Sequence, residues 1–297
     1  MEKTSVSLTI VIPAYNEAKA LPVTIPQVLE YCKENHWKLI VVNDGSKDNT
    51  AEVLQSFADQ PRLKVVHHKL NRGYGGALKS GLRAVDTDYA ITFDADGQHK
   101  LEDVSRLCET MLREDADMVV GARTSKKPHW YRELGKWLIR RIAAMMMPMP
   151  LKDLNSGFKL YRTDLVQKYL DLCPDSMAFS DVIAMIFLNQ RHKVVEQTIE
   201  VLPRLSGESS ISTKTAFITV LEILNLVMLL APMRIFLPAS LILVLLGLIW
   251  GIPIIIMGRG VSVGSMLAIV TGILFFILGL IAEQLSHIRK DIIKNRD

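Results

Sequence analysis

The chain lacks most of what would place it in an oxidising compartment or tie it to nucleic acid. Among 297 residues there are three cysteines, Cys32, Cys108 and Cys173, at spacings that suit neither a disulfide framework nor a zinc site. An excess of one charge sign is also slight: the formal net charge is +4, without the aromatic-interleaved basic stripe that a nucleic-acid partner would require. The N-terminal MEKTSVSLTIVIP reaches acidic and turn-forming residues too soon for a signal peptide, so the large domain is expected not to be exported. No internal repeat or low-complexity stretch is visible.

What the chain does have is apolar residues, unevenly spread. Residues 1 to about 215 mix charged and apolar positions as a soluble domain does, and the remainder is nearly uncharged until a basic tail. Ile235 to Met257 carries no charge and at 1.5 Å per residue would extend roughly 34 Å, enough to cross a bilayer. Ser265 to His287 is a second candidate span, and the short GRGVSVG link makes the two a hairpin. Two buried helices of a soluble core are the alternative, although core helices are seldom so long and charge-free. Arg289, Lys290, Lys294 and Arg296 follow the second span and Arg234 precedes the first, which predicts both ends on the cytoplasmic side. Thr215 to Ala231, with one glutamate, is too short to span and reads as an interfacial helix that would press a site mouth to the bilayer. The expected division is 1–213 for the soluble domain, 214–232 for the interfacial helix, 233–288 for the hairpin and 289–297 for the tail.

Within the soluble part, β-rich runs at Leu8–Ile12, Leu39–Val42, Leu63–Val66, Tyr89–Phe93 and Met118–Val120 alternate with helical patterns near 19–34, 50–58, 75–84 and 101–114. This predicts an α/β fold, a mostly parallel sheet with helices on both faces, whose ligands sit beyond the carboxyl ends of the strands. Polar residues collect at those ends: Tyr15, Asn16 and Glu17; Asn43 to Ser46; Asp94 and Asp96; Arg123. From 125 to 215 the pattern is less regular, with a basic helix, a DLNSGF turn and a helix over Ser180–Gln190.

Asp94 and Asp96 follow the apolar run YAITF, and alternation along extended chain points both carboxylates into one site. Close like charges need a compensating cation, and hard oxygen ligands favour Mg²⁺ or Mn²⁺; Gln98 can add a carbonyl oxygen. A solvated acidic turn is the plainer alternative. Asp44 in VVNDGS suits a nucleobase or ribose, and equally a turn or helix cap. The Gly-rich NRGYGGALKSG follows the third strand rather than the first, which discounts a dinucleotide fingerprint and leaves a flexible turn opening a helix. Arg132, Lys136 and Arg140 recur every four residues beside Leu134, Trp137 and Leu138, giving a cationic amphipathic helix suited to a membrane surface or an anionic headgroup, or simply a solvated charged face.

VIPAYNE (Val11–Glu17), NDGS (Asn43–Ser46), DADGQH (Asp94–His99), GAR (Gly121–Arg123) and NSGF (Asn155–Phe158) together resemble family 2 glycosyltransferases of the GT-A fold. PRLSGESS (Pro203–Ser210) and the two spans narrow the resemblance to the polyisoprenyl-phosphate branch, which includes dolichol-phosphate mannose synthases and bacterial undecaprenyl-phosphate relatives. The resemblance implies that Pro13, Tyr15, Glu17 and Asp44 hold the nucleoside, with Arg204 also on the donor, and that Asp94, Asp96 and Gln98 hold the metal and diphosphate. It places Arg123, Arg132, Lys136 and Ser156 at the acceptor phosphate; a serine is common at the position of Lys136, so the lysine is a departure. Asp181 stands near where many family members carry a catalytic base.

A phosphate monoester acceptor is mostly dianionic at pH 7 and already nucleophilic, so that base is dispensable. The expected chemistry is direct displacement with inversion, a hexose passing from a UDP- or GDP-linked donor to a polyisoprenyl phosphate at a lipid bilayer. Transfer to another lipid or to a polysaccharide, and a silent membrane subunit, are the rival readings. The intact Asp94/Asp96 pair argues against the last. Oligomeric state stays open, a homo-oligomer included.

Overall fold

The computed structural model describes residues 6–95, 97–123, 151, 153–154, 156–200, 227–228 and 231–294, with side chains as far as Ile288. These form two units, one ending at residue 200 and one beginning at 227.

In the first unit, strands β1 (Leu8–Ala14), β2 (Lys38–Asn43), β3 (Leu63–His67), β4 (Tyr89–Thr92), β5 (Met118–Arg123), β6 (Lys159–Arg162) and β7 (Val194–Ile199) make one sheet. Its order is β3-β2-β1-β4-β6-β5-β7, with every described pairing parallel except those of β6. Around it lie α1 (Leu21–Asn35), α2 (Thr50–Gln55), α3 (Tyr74–Arg83), α4 (Leu101–Glu114), α5 (Thr163–Tyr169) and α6 (Phe179–Asn189). The central strands are apolar along their whole length because helices cover both faces; Leu8, Ile10, Val11 and Ile12 have no exposure at all. Pro13 is tolerated in the central strand β1 because the ladder with β4 covers only Leu8 to Val11, so no missing N–H is felt there.

Elements expected from Leu8 to Val120 are found within a few residues of their predicted bounds. The irregular region holds more than expected: α5, β7 and, above all, β6. Running against its neighbours, β6 pairs Lys159 with both Thr92 of β4 and Val120 of β5. The turn preceding it therefore rises at the sheet's carboxyl edge, between the ends of β4 and β5.

The second unit is a hairpin of α7 (Met233–Ile256) and α8 (Val263–Lys294), which includes the expected spans Ile235–Met257, to within a residue, and Ser265–His287. The mean hydropathy is 2.7 for the apolar window of the first and 2.6 for that of the second. The arrangement is the inverse of a soluble core: in α7 the buried residues are Ser240, Gly247 and Gly251, while Leu245, Ile249, Trp250 and Ile256 are exposed. Among the described side chains of α8 the buried ones are Ser265, Gly272, Gly279 and Ser286, seven apart. Small residues on a heptad seam let two helices close on each other in lipid, where packing drives association. A Cβ at Gly247 would come within 2.6 Å of Ile269, and one at Gly272 within 2.7 Å of Val244. Glu283 accepts the Met233 N–H at 3.2 Å, closing the start of α7. The interfacial helix expected at 214–232 and the side chains of the tail 289–297 fall almost wholly outside the described residues.

Candidate active site

The loops after β1, β2 and β3 are laced together by polar side chains and backbone N–H groups. Asn16 N–H donates to Ser46 Oγ at 3.0 Å and Lys47 N–H returns to Asn16 Oδ1 at 2.8 Å. Glu17 N–H donates to Thr50 Oγ1 at 2.9 Å. Asn16 sits at φ 57°, a left-handed conformation that asparagine tolerates better than most residues. Tyr15 stays exposed at the rim and Pro13 is half-buried behind it. Asp44 is buried and accepts from Arg72 N–H and Gly73 N–H, each at 2.9 Å. His68 Nδ1 lies 2.6 Å from its Oδ1, with His68 Nε2 2.8 Å from Ser80 Oγ. Asp44 thus fastens the loop that opens α3. The glycines there serve close approach rather than flexibility: a Cβ at Gly75 would lie 2.4 Å from Pro174 O, and one at Gly81 2.4 Å from Val11 Cγ1.

Asp94 stands past the end of β4 with its side chain one-third exposed. Tyr74 Oη donates to its Oδ1 at 3.0 Å; burial, and then the adjoining carboxylate, raise the phenol's pKa well above its usual value, so it remains a donor. On the other side, His99 Nε2 is 3.6 Å from Asp94 Oδ2, and the imidazole stacks on Phe158 with centroids 4.6 Å apart. Gly157 leaves clearance, since a Cβ there would approach Asp94 Oδ2 to 3.0 Å and Tyr74 Oη to 2.7 Å. A carboxylate with a third of its side chain exposed at a strand end is a fit ligand for a hard divalent cation. Gln98 is half-buried on the same turn.

Arg123 ends β5 and meets Asp153 in a bidentate pair, Nε to Oδ2 at 2.7 Å and Nη2 to Oδ1 at 2.9 Å, while Arg123 N–H also donates to Oδ2 at 3.1 Å. Burial pushes the Asp153 carboxyl up, but the Arg123 hydrogen bonds outweigh it and hold the pKa below the usual range; the same bonds raise that of Arg123. Glu196 Oε1 accepts the Asp153 N–H at 2.9 Å, tying the turn to β7. Ser156 is buried in this turn and its Oγ accepts from Phe158 N–H at 3.3 Å. Beneath it, Lys159 has no exposure and donates to Leu154 O at 2.9 Å and to Ser156 O. Asp181 is buried in the first turn of α6, where its charge acts on both Lys159 and Arg123.

The structure thus gathers Pro13, Tyr15, Glu17, Asp44, Asp94, Gln98, Arg123, Ser156 and Asp181 at or behind one sheet edge. Asp96, Arg132, Lys136 and Arg204 lie outside the described residues. Tyr74, Asp153 and Lys159 were passed over in the sequence. Asp153 in DLNSGF carried a signal, an acidic residue inside a motif, whereas Lys159 shows only as one charge in a short strand.

A mostly parallel sheet with an acidic turn and the Arg123–Asp153 pair at its carboxyl edge, on a chain with an apolar helical hairpin, fits a membrane-bound glycosyltransferase of the GT-A fold. The chain belongs to Glycosyl transferase family 2, which matches residues 9–170. Residues 231–288 match the GtrB C-terminal hairpin, which makes this a membrane protein. Similar curated proteins include the undecaprenyl-phosphate 4-deoxy-4-formamido-L-arabinose transferases of Photorhabdus laumondii and Serratia proteamaculans. Each is 28% identical, over 96% of this chain and 90% of its own length. Among solved structures, glucosyl-3-phosphoglycerate synthase of Mycobacterium tuberculosis, in complex with Mn²⁺, UDP and phosphoglyceric acid, superposes with a TM-score of 0.59. Identity there is 16%, covering 76% of this chain and 78% of that one. Staphylococcus aureus TarS with UDP-GlcNAc gives a TM-score of 0.51 at 15% identity over 75% of this chain and 67% of TarS. These two likenesses establish the fold.

Proposed function

We propose that this enzyme transfers a hexose from a UDP- or GDP-linked sugar to a polyisoprenyl phosphate, such as undecaprenyl or dolichyl phosphate, with inversion and with its catalytic unit on the cytoplasmic face of the membrane. The observation that carries this reading is the pairing, one strand apart, of the Asp94 carboxylate and the Arg123 guanidinium, whose charges act on each other. One pole suits a cation-bound diphosphate and the other a phosphate monoester. The names of the relatives, matched along nearly the whole chain and including the hairpin, support the same acceptor class.

In this reading Pro13, Tyr15, Glu17 and Asp44 form the nucleoside end, with Arg204, and Asp94, Asp96 and Gln98 would hold Mg²⁺ or Mn²⁺. Such an ion would supply charge neutralisation for the departing diphosphate. Arg123, with Arg132, Lys136 and Ser156, orients the acceptor phosphate, and orientation is the larger part of the task because the dianion needs no deprotonation. A phosphate oxygen forms the new bond to the anomeric carbon as the bond to the nucleoside diphosphate breaks, and a single displacement inverts the centre. The soluble domain at 1–213, the interfacial helix at 214–232, the hairpin at 233–288 and a cytoplasmic tail at 289–297 belong to the same proposal.

The test is to incubate the purified full chain with a panel of nucleotide-sugars and undecaprenyl phosphate in Mg²⁺ or Mn²⁺, and to determine the mass and anomeric configuration of the lipid product. A lipid-phosphate-sugar of inverted configuration is expected. Transfer to diacylglycerol or polysaccharide in its place would overturn the acceptor, and a retained configuration would overturn the single displacement.

A further inference from the structure

Lys159 lies at the centre of the site and has no part in the chemistry described so far. It opens β6 in register with Thr92 and Val120, between β4, past whose end Asp94 stands, and β5, which ends in Arg123. Its ammonium is enclosed and is hydrogen-bonded to Leu154 O and Ser156 O, both in the turn that carries Asp153. A fully buried lysine is rare, because desolvating an ammonium is costly unless it is paired, and a well-packed apolar residue in its place is often at least as stable. The charges that act on it come from every side: Asp181 of α6 first, then Asp153 of the turn, Arg123 of β5 and Asp94 after β4. Burial lowers its pKa to about 8, with Asp181 and Asp153 opposing the fall, so the cation is retained at neutral pH.

We propose that Lys159 is a positioning residue for the acceptor phosphate: by gripping the Leu154 and Ser156 carbonyls it fixes Asp153, which in turn aims Arg123, and Asp181 is the counter-charge that lets the ammonium stay. The chain of contacts runs from Lys159 to the turn, from Asp153 to both donors of the Arg123 fork, and so to the headgroup. Asp181 then serves a buried cation rather than acting as a base, in keeping with an acceptor that has no proton to lose. The inference rests on the reading of Arg123 as an acceptor-phosphate ligand.

The test uses the full chain in detergent and two titrations, undecaprenyl phosphate with undecaprenol as control, and UDP with Mn²⁺. The Lys159→Met/Asp181→Asn double variant, which removes both charges together and leaves neither buried alone, is expected to weaken undecaprenyl phosphate binding at least tenfold and to leave UDP affinity within threefold. Lys159→Arg, which keeps the cation and its donors, should recover most of the loss. Unchanged lipid-phosphate affinity in the double variant, alongside a large loss in Arg123→Ala, overturns the role of Lys159. Equal loss of both ligands overturns it too, by showing a general structural effect. Unchanged affinity in Arg123→Ala overturns instead the acceptor reading on which it rests.

Discussion

The two halves of the sheet's carboxyl edge are held by different physics. On the β1–β2–β3 side, hydrogen bonds between polar side chains and backbone N–H groups lace three loops together, and the buried Asp44 is satisfied by amides and His68. On the β4–β6–β5 side the frame is ionic, with Arg123 locked to Asp153 above a buried Lys159 that Asp181 and Asp153 compensate. The difference suits the two ligands proposed: a nucleoside asks for shape and neutral hydrogen bonds, a phosphate dianion for fixed positive charge. It also means that the first half should weaken piecemeal and the second fail as a unit, since charges in one network are strongly coupled.

The largest effect is expected where the halves meet. Asp94→Ala should reduce transfer by about a thousandfold or more, on the scale of losing a key electrostatic contact to a transition state, and should abolish the Mn²⁺ dependence of UDP binding measured by calorimetry. Metal-dependent UDP binding that survived the change would show that the cation is held elsewhere. Next comes Arg123→Ala, expected to lower kcat/KM about a hundredfold, a loss of roughly 3 kcal/mol, and to do so through KM for the lipid phosphate while UDP affinity holds. If UDP affinity fell in step, the two halves would not be separable and the comparison would break.

Asp44→Ala probes the other side. It takes the acceptor from Arg72 N–H and from the buried His68 imidazole, while Gly73 N–H keeps Asn71 Oδ1, so stability should fall by about 1–3 kcal/mol, read as a lower apparent Tm, and UDP affinity should fall with little change in undecaprenyl phosphate affinity. A loss confined to the lipid phosphate would reverse the assignment of the halves.

The same division explains what could be read in advance. The β1–β2–β3 half is built of consecutive parallel strand–helix units whose apolar runs and turn residues are local signals, so its strands, helices and strand-end residues were legible from the sequence. The hairpin was equally plain, because lipid demands long uncharged helices. The other half was not. β6 is four residues long with a charge at each end, Lys159 and Arg162, and its place between β4 and β5 follows from tertiary pairing rather than from any period in the chain. Nothing in the sequence marks Lys159, because a lysine is seldom enclosed. Asp153 is marked only as an acidic residue inside a motif, and its partner shows only where the turn folds back on Arg123. Asp44 was legible both as a ligand-facing acid and as a turn anchor, and the structure displays the second function in its bonds to Arg72 and Gly73.

The smallest effect is the most diagnostic of an ionic frame. Burial lowers the Lys159 pKa from 10.5 to about 8, against the opposing pull of Asp181 and Asp153. Between those values the folded chain has given up a proton that the unfolded chain still holds, so with more protons bound in the unfolded state, stability must rise with pH across that window. At pH 7 the depressed pKa corresponds to a cost on the order of 3 kcal/mol, and raising the pH from 7 to 9 should relieve about 1 kcal/mol of it. Relative to Lys159→Met, whose buried position no longer titrates, the wild-type protein should therefore gain a few degrees in apparent Tm over that range. A wild-type Tm that instead fell relative to the variant would show that the two carboxylates outweigh burial. The ammonium would then be a net stabilising pair in the fold, and the ionic half would be the sturdier of the two.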